Sequence, residues 1–235
     1  LVEDLAATVN AAPPKEGSVE ALLLDWASRP SEMRHLGIYS AHTEEAAAPA
    51  REIVSRGLDA VPELIALLKD SRFTIHEKPA FMKAPARIKR VGELAYQLTR
   101  QIAGAQPSFP RYGEDPEDVN KWWEKVRSQD ESVVLLSSVF KRESGKVTGV
   151  NEGPARIIAR KFPDKLRSLC DEFTAYATPE AQPYPLAEAI AKSDLTKEMR
   201  VQILSDFAEH GSLEHKRCVL QNLAELNGAA CSVHL

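Results

Sequence analysis

The sequence predicts an all-α chain of stacked antiparallel helical hairpins, the arrangement of an α-solenoid. Three observations predict it. Apolar residues recur at spacings of three and four over segments of helical length. Gly or Pro stands where those segments stop or start. The connections are mostly short, which makes successive helices antiparallel neighbours. Composition agrees, since 235 residues with 43% hydrophobic and 27% charged side chains describe a globular chain rather than a disordered or collagen-like one. No apolar run approaches the roughly 18 residues of a membrane-spanning helix.

The most informative stretch covers residues 51–104. Gly57 is placed to close one helix, because the C′ position favours a residue that tolerates a left-handed backbone. Asp59 is then expected to cap the next helix, with Pro62 in its first turn, where a missing N–H costs little. Leu58, Val61, Leu64, Ile65 and Leu68 give that helix one apolar stripe. A polar connector follows from Lys69. A second helix over roughly 87–103 carries Ile88, Val91, Leu94, Ala95, Leu98 and Ile102, with Gly104 as its stop.

Residues 106–113 read as an irregular loop. Trp122 and Trp123 follow on a helix, where adjacent side chains point about 100° apart, so one ring is expected inside and the other partly outside. Residues 133–140 are apolar without periodicity. They read as a buried helix, the alternative being one strand of a hairpin with residues 146–150 across the turn-like Glu143-Ser144-Gly145-Lys146. Further on, Pro154 and Pro163 sit at plausible helix starts. Leu166, Leu169, Cys170 and Phe173 form one stripe, and Met199, Ile203, Leu204 and Phe207 another that ends at Gly211. Ser212 is expected to cap a last helix carrying Leu213, Leu220, Leu223 and Leu226, closed by Asn227-Gly228. The chain divides on this reading into N-terminal helices (1–42), a hairpin region with the Trp helix (43–131) and further hairpins (132–235).

The segment from Gly57 through Val61-Pro62 and the Leu-rich run to Asp70 resembles the first helix of a HEAT repeat. Arg90-Val91-Gly92-Glu93-Leu94-Ala95 resembles the second. Residues 71–86 are longer than the family's turn, which implies an insertion. The resemblance covers about residues 44–104 well and the region 153–228 more distantly. It implies a HEAT/armadillo-like solenoid that offers surface to partners, usually without catalysis. A helix pair with one apolar stripe per helix needs neighbours to cover it, which favours stacking on independent grounds. Stacked pairs leave one row of helices along a concave wall. Arg87, Lys89, Arg90, Glu93, Gln97 and Arg100 are expected on the polar side of the second helix as a binding strip, joined by the aromatic pair Trp122 and Trp123.

Charge is distributed unevenly. The chain carries a formal −4, yet residues 71–90 hold six basic side chains against Glu77 alone, and residues 141–167 hold eight against three acids. The protein partner is therefore set against an alternative, nucleic-acid binding through these two stretches, as in HEAT-like DNA binders or base-repair proteins. No coherent catalytic set emerges. His210 and His215 lie five residues apart across Gly211, which breaks the i, i+4 geometry a zinc site on one helix requires. Carboxylates cluster at helix starts, where they complement the helix dipole. Cys170, Cys218 and Cys231 lack metal-ligand spacing. The expectation is a module that uses no cofactor and no metal and spans no membrane. Its location stays open between cytoplasm and export.

Overall fold

A computed structural model describes residues 12–29, 48–78, 87–104, 106, 108–110, 115–210 and 213–226, of which 75–78, 87–88, 210, 213–215, 218 and 225 are described by their backbone. The chain is mostly helical, with two two-stranded antiparallel ribbons among the described residues. Contacts divide it into two compact units, residues 1–102 with 109–127, and residues 103–108 with 128–235. The expected Gly211 stop, Ser212 cap and Asn227-Gly228 closure lie outside the described residues. So do His35, His42, His234 and Cys231.

In the first unit, helix α1 (Val19–Ala27) starts at Ser18, whose hydroxyl accepts the Ala21 N–H at 3.1 Å. Its buried stripe Val19, Leu23, Trp26 and Ala27 has helical spacing and packs against α2 (Ala48–Ser55). Gly57 follows α2 at φ +63°, as its C′ role requires. The next turn is a 3-10 helix (Gly57–Ala60) that runs into α3 (Val61–Ala66) with Pro62 in the first turn. Asp59 therefore lies inside this turn, and the residue at the N-cap of α3 is Ala60. The Glu63 carboxylate on α3 accepts the Val19 N–H at 3.0 Å, tying α3 to the start of α1. Arg72 then bonds Asp70 and Glu20, both at 2.6 Å, with its side chain only 11% exposed.

The connector departs from expectation. It forms a ribbon of β1 (Phe73–Lys78) and β2 (Arg87–Arg90), paired from Phe73↔Arg90 to Lys78↔Arg87. The helix expected from about residue 87 begins only at Val91, as α4 (Val91–Ala103). Arg87, Ile88, Lys89 and Arg90 are strand residues. Phe73, Thr74 and Ile88 suit a strand, but interleaved charges hide the alternation in the sequence. The ribbon closes at its neck: Val91 N–H donates to Arg72 O and Gly92 N–H to Asp70 O, each at 3.0 Å. The helical path thus leaves and returns at one point. Gly92 makes this approach possible, because a Cβ there would lie 2.3 Å from Leu68 O. Helix α5 (Pro116–Val126), capped by Asp115 on the Glu117 N–H at 2.9 Å, packs against α3.

The second unit opens with α6 (Glu131–Ser138), capped by Asp130. The apolar run at 133–140 is helix as far as Ser138, and Phe140 then enters a strand. Both readings of that run hold in part, one after the other. Strands β3 (Phe140–Glu143) and β4 (Lys146–Val150) turn at Ser144 (φ +49°) and Gly145 (φ +80°). Two successive positive φ values define the tight hairpin turn whose twist matches the strands. Helices α7 (Glu152–Lys161), α8 (Leu166–Tyr176), α9 (Tyr184–Ala191), α10 (Lys197–His210) and α11 (Leu213–Leu226) follow, with a 3-10 turn (Pro163–Lys165) before α8. Helix α9 packs on α7, α10 and α11. Leu166, Leu169, Cys170 and Phe173 are all buried as expected, and Phe173 meets Phe140 with tilted rings at 6.0 Å and Phe207 edge-on at 5.8 Å. Met199 and Leu220, expected in the core, are 50% and 57% exposed. Among the described side chains of α11 the buried ones are Val219 and Asn222.

Candidate partner-binding surface

The strip expected on the second helix is divided between two elements. Lys89 and Arg90 end strand β2, while Glu93, Gln97 and Arg100 lie on α4 at i, i+4 and i+7, one face of a helix. That face is left outward because Val91, Leu94, Ala95, Leu98 and Ile102 are buried on the other side. Thr99 is buried too, its hydroxyl donating to Ala95 O at 2.8 Å within the helix. Glu93 turns back to accept the Arg90 N–H at 3.3 Å, half of a capping box at the start of α4.

The strand residues fold onto the helix. Lys89 Nζ donates to Gln97 Oε1 at 3.3 Å. Arg90 donates to Ser71 O at 2.8 Å and lays its guanidinium 3.7 Å from the centre of the Phe73 ring. Lys89, Arg90, Glu93 and Gln97 are thus connected and half-buried, and Arg100 is the exposed member. The backbone of Arg87 pairs with Lys78 in the ribbon, and its side chain lies outside the described residues.

The aromatic pair separates as its spacing requires. Trp122 is 1% exposed and meets Phe109 edge-on at 5.0 Å, with Tyr96 of α4 5.8 Å from Phe109. The Tyr96 hydroxyl donates to Pro110 O at 2.7 Å, which fixes the loop over the cluster. Trp122 is a core residue of this unit, and Trp123, half-buried with its ring 6.3 Å from that of Trp122, is the surface member. Arg111 and Tyr112 lie outside the described residues.

The two basic stretches fare differently from their sequence appearance. Within 141–167, Arg142 pairs with Glu172, Arg156 with Glu152 and Glu188, Lys161 with Glu131, Lys165 with Asp164 and Arg167 with Asp206. These ion pairs engage at least five of the eight cations, mostly with acids from outside the stretch. Glu188 is held below the ordinary carboxylate range by Lys192 and Arg156, which outweigh the burial that opposes its charge. Lys141 and Lys146 remain exposed on the second ribbon.

A further feature had no clear signal in the sequence. Helices α8 and α10 line a half-open cavity of about 440 Å³ whose walls include Arg167, Cys170, Asp171, Ile203, Asp206 and Phe207. Burial pushes the Cys170 thiol far above its ordinary range, so it stays protonated and is a poor nucleophile. No cluster of three or more His, Cys, Asp or Glu groups suited to a metal occurs among the described residues, and none of the described helices is long and apolar enough to cross a membrane. Compared with protein-family models, curated proteins and solved structures, the chain matches none.

Proposed function

We propose that this chain is a non-catalytic interaction module, a HEAT-like array of helical hairpins that holds a protein partner on the outer face of α4. One observation carries the reading. Lys89, Glu93, Gln97 and Arg100 form a continuous strip of mixed sign, backed by a fully buried apolar stripe that keeps the helix rigid. A strip of alternating charge and amide suits a protein surface, where complementary charges set register and partner choice. Trp123, half-exposed beside a buried aromatic cluster, adds an amphipathic ring of the kind enriched in binding hot spots.

The test is capture with the immobilised full chain, comparing wild type with Arg100→Glu. A protein recovered by wild type and depleted about tenfold by the variant supports the reading, a difference of about 1.4 kcal/mol. Equal recovery by both places the contact elsewhere and overturns it. The second reading, nucleic-acid binding through 71–90 and 141–167, draws support from the exposed Lys141 and Lys146 on the second ribbon. The ion pairing of five cations weighs against it. A gel shift that weakens steeply between low and moderate salt would favour this alternative, since each phosphate contact releases counterions.

A further inference from the structure

Helix α8 presents two stripes. Leu166, Leu169 and Phe173 face the core, whereas Arg167, Asp171 and Thr174 line the cavity shared with α10, and Cys170 sits between the two sets. The cavity floor is apolar, built from Cys170, Ile203 and Phe207, each less than 10% exposed. Its volume of about 440 Å³ falls in the range of roughly 300–1,000 Å³ typical of sites that take a ligand or an anchoring side chain. Met199, one turn before Ile203 on the same stripe of α10, is 50% exposed. An exposed thioether is adaptable and suits contact with a partner helix.

The rim fixes the sign of the partner. Arg167 and Asp206 neutralise each other at 2.5 Å, and Gln202 donates to the second oxygen of Asp206 at 2.7 Å. Asp171 is exposed and makes no ion pair among the described residues. The trough is therefore apolar at its base with a net negative edge. We propose that it docks a basic amphipathic helix of a partner protein, bulky apolar residues filling the cavity against Ile203 and Phe207 and a Lys or Arg meeting Asp171. This site lies in the second unit and stands or falls independently of the α4 strip.

The experiment uses the full chain and a fluorescent synthetic Leu/Lys peptide of about five helical turns, patterned for one apolar face. Its controls are a shuffled peptide of the same composition and a Leu/Glu twin. Saturable anisotropy binding of the patterned Leu/Lys peptide alone is expected, weakened about tenfold by Asp171→Lys and abolished by Ala175→Trp, which plugs the cavity from an exposed position. A benzophenone on the apolar face of the peptide should cross-link within α8 and α10. Equal binding of the shuffled peptide, unchanged affinity in Ala175→Trp, or cross-links mapping elsewhere would each overturn the proposal.

Discussion

The two β-ribbons share a topology and differ in how the rest of the molecule holds them. The β3–β4 ribbon is part of a core: Phe140, Val147 and Val150 are buried, Phe140 meets Phe173, and Val147 O accepts the Thr178 N–H at 2.8 Å beyond the hairpin. The β1–β2 ribbon is tied at its neck, where Val91 N–H donates to Arg72 O and Gly92 N–H to Asp70 O, and β1 also meets α1. Among its described side chains Thr74 alone is buried, while Phe73, Lys89 and Arg90 are half-buried. The β3–β4 ribbon is a structural strut, because it buries apolar side chains in its unit's core.

The largest expected effect tests the strut. Phe140→Ala should cost about 3–5 kcal/mol in denaturant unfolding, and a loss below about 1 kcal/mol would erase the distinction between the ribbons. Gly92→Ala comes next, because it forces a methyl group against Leu68 O at the neck; overpacking of this kind costs about 1–3 kcal/mol. If the variant matches wild type in unfolding midpoint, the neck is looser than its hydrogen bonds indicate. Gly145→Ala is expected to lose roughly 1–2 kcal/mol, since φ +80° suits glycine alone although nothing crowds the position. Replacing residues 79–86 by two glycines, which keeps the Lys78↔Arg87 pair of the ribbon, should cost less than about 1 kcal/mol, as loop length enters closure entropy only logarithmically. Far-UV circular dichroism should keep its helical signal, and collapse of that signal would show that the connector supports the helices.

The smallest effect concerns pH. Glu188 has a folded pKa below its unfolded value, so its contribution is present above the ordinary carboxylate range and is lost as pH falls through the folded value. Unfolding midpoints measured across the acid limb should therefore fall less steeply in Glu188→Gln than in wild type. Superimposable acid limbs would show that Arg156 and Lys192 do not hold this carboxylate in solution.

Much of the helical framework was legible. The stripe Val91, Leu94, Ala95, Leu98 and Ile102 is buried as its periodicity requires, and Gly57 and Gly104 end helices at positive φ. Gly104 also has a second role that its turn signal did not reveal, since a Cβ there would meet Pro154 Cγ at 2.6 Å and Ser138 O at 2.8 Å. Met199 and Leu220 were misjudged because a three–four spacing names a face without saying whether a neighbour covers it. The helical placement of Glu93, Gln97 and Arg100 was legible, whereas Arg87–Arg90 form β2, where cross-strand pairing overrode the helical continuation. The trough between α8 and α10 escaped notice because its residues come from two helices some 30 positions apart.

Local order is what the amino-acid sequence determined alone: helix stripes, their Gly and Pro boundaries, and the divergent directions of Trp122 and Trp123. Those features depend on backbone geometry within a few residues. The tertiary structure alone decided which charges remain exposed. A run of cations such as 141–167 reads as one basic patch until Glu131, Glu172, Glu188 and Asp206 arrive from distant parts of the chain to pair with four of its members. Electrostatic character is a sum over neighbours in space, and chain order does not contain that sum.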